Sequence, residues 1–530
     1  MKKIFPSLLL CFFLLTTLSC TYRVTRDSST LLIALPADPE ILNPLISRDA
    51  YSSTVLSRIY ESLLERDNKT LAFKPMLASR WEIGEDQKTY TFHLRQDVKW
   101  QDGFPFTADD VLYSFERVRD PKVDAASLRV YYQDVESVKK IDSYTIQAKY
   151  KTPYFKALEM IGGLPVLPKH LFDTGTDFNQ HPANRSPIGT GAYRFQEWKS
   201  GQKITLTRNE HYWGKKPDVT SVIYQIIPDA TVSFQMLKKG SLDFSSLRSL
   251  QWAKQTSEES FTSRYDKYKY YTPNFSYIGW NLRKPYFSDK RVRQALAMML
   301  DREKILEKQL FGLGEIVSGP FYRFGPAYNE TVTPYPFNPE RAKQLLDEAG
   351  WKDHNGDGIR DKDGVPFRFR FLISNGSKFA KSIGLFLREE LGKVGIEVSI
   401  EQLEFASILK KVQEHDFDSI TLAFSLPFDQ DPYQLWHSSQ IKEGSNVIGF
   451  QNKEIDRLIE SARPELDAEK RAEIYKRMHA ILHEEQPFFF LFTNPSLVAI
   501  SKRFSNVHVY KAGFDSLEWQ APHGEEILEW

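Results

Sequence analysis

Cysteine is almost missing from this chain of 530 residues: there are two, Cys11 and Cys20. If Cys11 leaves with a signal segment and Cys20 is acylated, no thiol remains, which excludes a disulfide scaffold, a cysteine nucleophile and a cysteine-based zinc site and leaves stability to packed cores. Charge of one sign is missing too. The 70 Lys and Arg stand against 69 Asp and Glu, a formal +1 that becomes −1 once Lys2 and Lys3 are removed. Such a balance gives no electrostatic case for nucleic acid as a partner. Long apolar runs are also lacking, since the stretch SLLLCFFLLTTL near the start is too short to span a bilayer. Aromatic residues, by contrast, are plentiful. The 37 Phe, 25 Tyr and 10 Trp exceed what cores need in a chain long enough for more than one domain, and the surplus can line a cleft.

The N-terminus joins Met1-Lys2-Lys3 to that apolar stretch and reaches Ser19-Cys20, the layout of a secretory signal. Ser19-Cys20 resembles a bacterial lipobox, with Thr17 where a Leu is usual. The expectation is a signal peptide over 1–19, lipid attachment at Cys20 and a linker over 20–29.

The run from Thr89 to Arg117 is the most informative. Tyr90, Phe92 and Leu94 alternate with Thr89, Thr91 and His93, the period of a strand with one buried face. Asp102-Gly103 supplies a turn, and Thr107 with Asp110 three residues on predicts a capping box for a helix carrying Val111, Phe115 and Val118. Upstream, Tyr51 to Leu64 reads as a helix burying Val55, Leu56, Ile59 and Leu63.

The full wording KWQDGFPFTADDV, with LASRW before it, resembles the signature of the family 5 extracellular solute-binding proteins, the large oligopeptide-, dipeptide- and nickel-binding proteins of ABC importers. PIGTGAYRFQEW and NLRKPYFSDKRVRQALAMMLDREKI are similar to further stretches of that family. The resemblance implies an α/β, two-lobed periplasmic binding protein fold of type II, in its large three-domain variant, with a hinge and an interlobe cleft. One lobe would combine 30–70, 188–280 and 502–530 and carry an extra domain at 71–187; the other lobe would be 281–501.

Other constellations read as structure. Gly189 and Gly191 lack the remainder of a phosphate-cradling motif and are expected in a tight turn. Asp353 to Asp363 resembles a calcium loop but has Gly364 where a bidentate Glu belongs, so a solvated turn is expected. His479 and His483 share a helix face without a third ligand or an HExxH pattern. No GxSxG elbow is present.

In peptide-binding members of the family an Asp four residues before a Pro holds the ligand's α-ammonium. A charged amine leaving water needs such a carboxylate. Here Phe428 stands at that distance from Pro432, and Asp429 is the nearest substitute, while Asp431 is expected to cap the following helix. Phe424, with Ser425 beside it, falls where relatives carry a ligand-stacking Trp. Trp436 lies one helical turn past Pro432 and reads either as a stacking residue or as core. No Lys or Arg is assigned to a ligand carboxylate.

The resemblance implies a substrate-binding lipoprotein that captures oligopeptides and delivers them to a permease and ATPase complex. It would be a monomer, anchored by lipid on the periplasmic side of the envelope, with no catalysis, cofactor or metal. Alternatives are the same fold holding nickel, a metallophore or a cell-wall peptide fragment and, further away, a hydrolase or a surface adhesin.

Overall fold

Three sheets organise the chain, and each grows from a recognisable apolar run. The computed structural model describes residues 25–442, 444–522 and 526–528; the signal and Cys20 lie outside them. Leu31, Leu32 and Leu35 are buried in the strand Thr30–Leu35, which pairs in parallel with Ser221–Ile226 and Phe244–Ser246. A continuous apolar run of this kind suits a strand covered on both faces. The seven-stranded sheet runs Tyr265–Tyr270, Ser496–Ser501, Phe244–Ser246, Thr30–Leu35, Ser221–Ile226, Lys203–Arg208, Tyr193–Lys199.

The second sheet is antiparallel, in the order Ala78–Ile83, Thr89–Leu94, Thr145–Tyr150, Val135–Asp142. Tyr90, Phe92 and Leu94 face inward as the alternation predicts. The helix Ala108–Arg119 opens with the expected capping box of Thr107 and Asp110. Asp110 also accepts from Trp100 Nε1 at 3.3 Å and from the Lys169 amide at 2.9 Å, so one buried carboxylate fixes the whole motif. The apolar residues beneath this sheet are continuous with the core under the seven-stranded sheet, so residues 71–187 extend the first lobe without a separate core.

The third sheet runs Glu397–Leu403, Arg368–Ser374, Ser419–Ser425, Asn274–Trp280, Phe488–Phe490, with an apolar core on each face. Its strand Asn274–Trp280 and the strand Ser496–Ser501 of the first sheet correct the expected lobe boundaries. The chain changes lobe at 271–273 and again at 494–495, earlier than 281 and 502, because strand pairing carries on to those points. The crossings are tied together: Asn274 Nδ2 donates to the Asn494 carbonyl and the Asn494 amide donates to Asn274 Oδ1, both at 2.9 Å.

A second correction concerns the helix expected over residues 51–64, which spans only Ala50–Leu56. The Arg58 and Ile59 carbonyls accept instead from the Tyr193 and Gly191 amides, at 3.1 and 2.9 Å. A Cβ on Gly189 would stand 1.8 Å from the Ile59 carbonyl oxygen, so the glycine turn exists for close backbone approach.

Candidate functional site

Four cavities follow one another with shared wall residues, two of them between the lobes and two continuing along the first lobe. At one end, a cavity of about 380 Å³ is bounded by Arg66 and Leu71 of the first lobe and Phe428, Asp429 and Arg471 of the second. Leu71, Tyr322 and Phe428 also bound its neighbour of about 520 Å³, which Tyr270 and Tyr271 complete. Tyr270 leads on to a cavity of about 530 Å³, and Arg58 and Glu65 join that one to a fourth of about 390 Å³. Volumes of this size are those of small-molecule pockets, and in series they suit an extended ligand. The walls are rich in aromatic rings, among them Phe428 edge-on to Tyr322 at 5.8 Å.

The Asp429 end is densely paired. Arg471, buried on the helix Ala468–Glu485, donates to Asp429 Oδ2 at 3.1 Å and to the Glu465 carbonyl at 2.7 Å. Its guanidinium lies 4.2 Å from the centre of the Phe155 ring. Phe155 belongs to the first lobe, and its neighbours cross the cleft as well. Lys156 Nζ donates to the Asp429 carbonyl at 3.0 Å, the Tyr154 hydroxyl donates to Asp431 at 2.8 Å, and the Phe155 amide donates to the Arg463 carbonyl at 3.0 Å. Lys156 is 4 % exposed and is held by Glu159 at 3.1 Å; Arg66 reaches Glu159 from the other side. Burial pushes the Asp429 carboxyl above the ordinary range, with Arg471 and Lys156 pulling the other way.

The opposite end is built from the first lobe. Arg58 Nε donates to the Tyr224 hydroxyl at 2.7 Å, and that hydroxyl donates to the Thr54 carbonyl at 3.2 Å. The guanidinium sits 5.6 Å from the Tyr193 ring centre. Behind it, the buried Glu61 accepts from Thr190, Tyr212 and Trp213 at 2.7, 2.7 and 2.9 Å. Burial raises the Glu61 carboxyl and those three donors oppose the shift.

Residues 72–446 match the family described as bacterial extracellular solute-binding proteins, family 5 Middle. The chain belongs to that family. It is 33% identical over 481 residues to the oligopeptide-binding protein AppA of Bacillus subtilis, covering 88% of this chain and 86% of that one. The structure of AppA from Bacillus subtilis in complex with a nonapeptide superposes with a TM-score of 0.83 at 30% identity, over 94% of this chain and all of the other. NikZ from Campylobacter jejuni in complex with Ni(L-His) gives 0.81 at 27% identity, over 93% of this chain and all of the other. The two-lobed solute-binding fold expected from the signature is the fold observed.

Within this family 5 fold the expected site residues separate. Asp429 lies in the cleft wall beside Phe428, so a carboxylate borders the same cavity although Phe428 occupies the expected position. Asp431 does not cap the following helix, whose N-cap is Pro432 without a side-chain cap bond: one oxygen accepts from the Tyr433 amide at 3.1 Å, and the other serves Tyr154 across the cleft and Arg463 on its own lobe. Trp436 is corrected to core: it is 1 % exposed, edge-on to Phe488 and Phe450. Phe424 stacks on Tyr277 at 5.0 Å and packs, half-buried, against the same core; it is not a wall residue of the four cavities. Ser425 is exposed and pairs with Asn274 at the hinge end of the sheet.

The remaining motifs are spent locally. His479 is fully buried, its Nε2 against Ser318 Oγ at 2.9 Å and its Nδ1 accepting from the Asn329 amide, and burial lowers it to about 3. His483 Nδ1 donates to the Ser318 carbonyl at 3.0 Å, so both rings are engaged by Ser318. Asp353 and Asp357 accept amides of their own loop, from Gly356, Gly358 and Ile359. Among the described residues no group of three His, Cys, Asp or Glu could hold a metal ion, and no helix is long and apolar enough to cross a membrane.

The sequence reading missed Arg58, Lys156 and Arg471. Arg58 follows a helix that ends early, and Lys156 and Arg471 are separated from Asp429 by hundreds and by tens of residues. The one available signal was the aromatic run Tyr154-Phe155 before Lys156, which is unusual at a surface turn.

Proposed function

We propose that this chain is the substrate-binding component of an ABC importer, capturing oligopeptides between its lobes and presenting them to a membrane permease and its ATPase. The observation that carries the reading is the run of four wall-sharing cavities that starts between the lobes and continues along the first, with a carboxylate at the interlobe end and a guanidinium toward the other. A peptide in extended form has that shape and polarity. Main-chain pairing would give affinity independent of sequence, and roomy, hydrated pockets walled by Tyr270, Tyr271 and Tyr322 would accept varied side chains. The similarity to a protein named for oligopeptides and solved with a nonapeptide supports the same reading.

In this role the protein binds and releases, and it carries out no chemistry. Closure would be driven by contacts that exist only when both lobes meet the cargo. Attachment through Cys20 as a lipid-anchored monomer on the outer face of the membrane rests on the Ser19-Cys20 layout alone.

A second reading has one observation in its favour. Asp429 is already neutralised by Arg471, which suits a cargo without a free amine, such as a metal chelate or a blocked cell-wall peptide. Native mass spectrometry of the purified protein separates the two. Co-purified masses forming a ladder of short peptides are expected; a single metal-containing adduct would replace the peptide reading with the second.

A further inference from the structure

Three arginines line the four cavities, and their circumstances differ. Arg66 is paired with Glu159 and Arg471 with Asp429, but Arg58 has no carboxylate at ion-pair distance among the described residues. Its guanidinium is half-buried and carries its charge at any biological pH. A charge partly withdrawn from water needs compensation. Of the carboxylates on the same walls, Glu61 is taken by Thr190, Tyr212 and Trp213 and Glu65 pairs with Lys74 at 3.2 Å, while Asp515 accepts from the Leu517 amide at 3.0 Å and acts on Arg58 only through its field, without an ion-pair contact.

The group is also held still. Tyr193 grips the Arg58 carbonyl through its amide, Tyr224 takes Nε, and Thr54 fixes the Tyr224 hydroxyl. With Nε used, the two terminal nitrogens form a free fork that borders two adjoining cavities. A planar fork of this kind matches the two oxygens of a carboxylate, and preorganisation lowers the entropy cost of the contact.

We propose that Arg58 is a specificity-determining residue that receives a carboxylate of the cargo, either the C-terminal group of a peptide or an acidic side chain. The assignment rests on the peptide reading above. Together with Asp429 at the far end it gives the cleft a direction, with the amine toward the second lobe and a carboxylate at the first.

The test uses the full chain and Arg58→Gln and Arg58→Lys variants, titrated with one host peptide series of two to nine residues with neutral side chains. Each length is made as free acid, as C-terminal amide, and as amide with a single Glu moved along it. Wild type is expected to bind the acid, or the amide with a well-placed Glu, about ten- to a hundredfold tighter than the plain amide. The first pattern identifies the C-terminus as the source and the second a side chain. Arg58→Gln should bind all three alike, and Arg58→Lys should recover part of the preference. An Arg58→Gln protein that keeps the wild-type ratio, or a wild type with no preference for a carboxylate, overturns the assignment while leaving peptide binding in place. If no member of the series binds wild type, the peptide reading falls, and this proposal with it. Because each readout is a ratio within one variant, a loss of fold stability does not imitate the expected result.

Discussion

The two ends of the cleft solve the same electrostatic problem in opposite ways. At the Asp429 end every charge has a protein partner and several partners lie on the other lobe: Lys156 and Tyr154 reach across to Asp429 and Asp431, and Arg463 and Arg471 complete the set. At the Arg58 end one lobe supplies the whole scaffold and the charge is left for something else to meet. The difference separates two jobs. Cross-lobe pairs stabilise closure whatever the cargo, whereas an unmet charge rewards only cargo that carries its complement, and differential contacts of that second kind are what make a binding equilibrium selective.

Removing the centre of the latched end should have the largest effect. Asp431 is 5 % exposed at its side chain and serves Arg463 at 3.0 Å and Tyr154 at 2.8 Å. Asp431→Ala strands the guanidinium, and breaking a buried pair from one side costs about 3–5 kcal/mol. Arg463 keeps partial contact with Asp134 at 3.8 Å and about a quarter of its side chain is exposed, so the lower end of that range is expected. Tyr154→Phe removes only the cross-lobe bond, at about 1 kcal/mol. Thermal melts would rank the two, and small-angle scattering should show both variants more open than wild type. Equal and small effects would mean that the latch contributes nothing and that the two ends do not differ as described.

Much of the frame behind this comparison was legible in the sequence, and the reasons are local. The strand Thr89–Leu94, the capping box at Thr107 and Asp110 and the glycine turn at 189–191 are set by alternation, cap chemistry and close approach within short stretches. The lobe boundaries were misjudged by several residues because strand pairing, not composition, decides where a chain changes sheet. The helix after Ala50 was overextended because its carbonyls were claimed by residues more than a hundred positions away. The same holds for the site. Asp429 could be named from its distance to Pro432, but its pairing with Arg471 and its contact with Lys156 depend on three distant segments meeting. Trp436 was ambiguous because one helical turn past a Pro fits a core residue and a ligand platform equally well.

The Asp429 end can also be tested as a binding site in its own right. If its carboxylate receives the cargo's ammonium, Asp429→Asn should weaken free-amine peptides about tenfold more than their N-acetylated counterparts, in line with the worth of a charge-assisted hydrogen bond. Arg471 competes for the same oxygens at 3.1 and 3.3 Å, so Arg471→Gln should widen the gap between free and acetylated peptides in wild-type direction. Calorimetric titration of each pair gives the ratio. Should both variants leave it unchanged, Asp429 belongs to the latch alone and the amine lies elsewhere.

The smallest expected effect is a proton. Burial holds the Asp429 carboxyl above its ordinary 3.8, against the pull of Arg471 and Lys156. A raised carboxyl favours the folded state most below the ordinary value, and that contribution is lost as pH rises through the raised one. An ammonium group arriving at Asp429 favours the ionised form and lowers the value again, so binding of a free-amine peptide should release a fraction of a proton at acidic pH, where the raised carboxyl is still partly protonated. Binding heats measured in buffers of different ionisation enthalpy would report it. A cargo carboxylate meeting Arg58 also releases protons at low pH, since the arginine itself does not titrate there, and amidation of the peptide should abolish that share while N-acetylation abolishes the first. Identical release from acetylated and free-amine peptides would leave Arg58 as the sole charged contact and make the cleft selective at one end only.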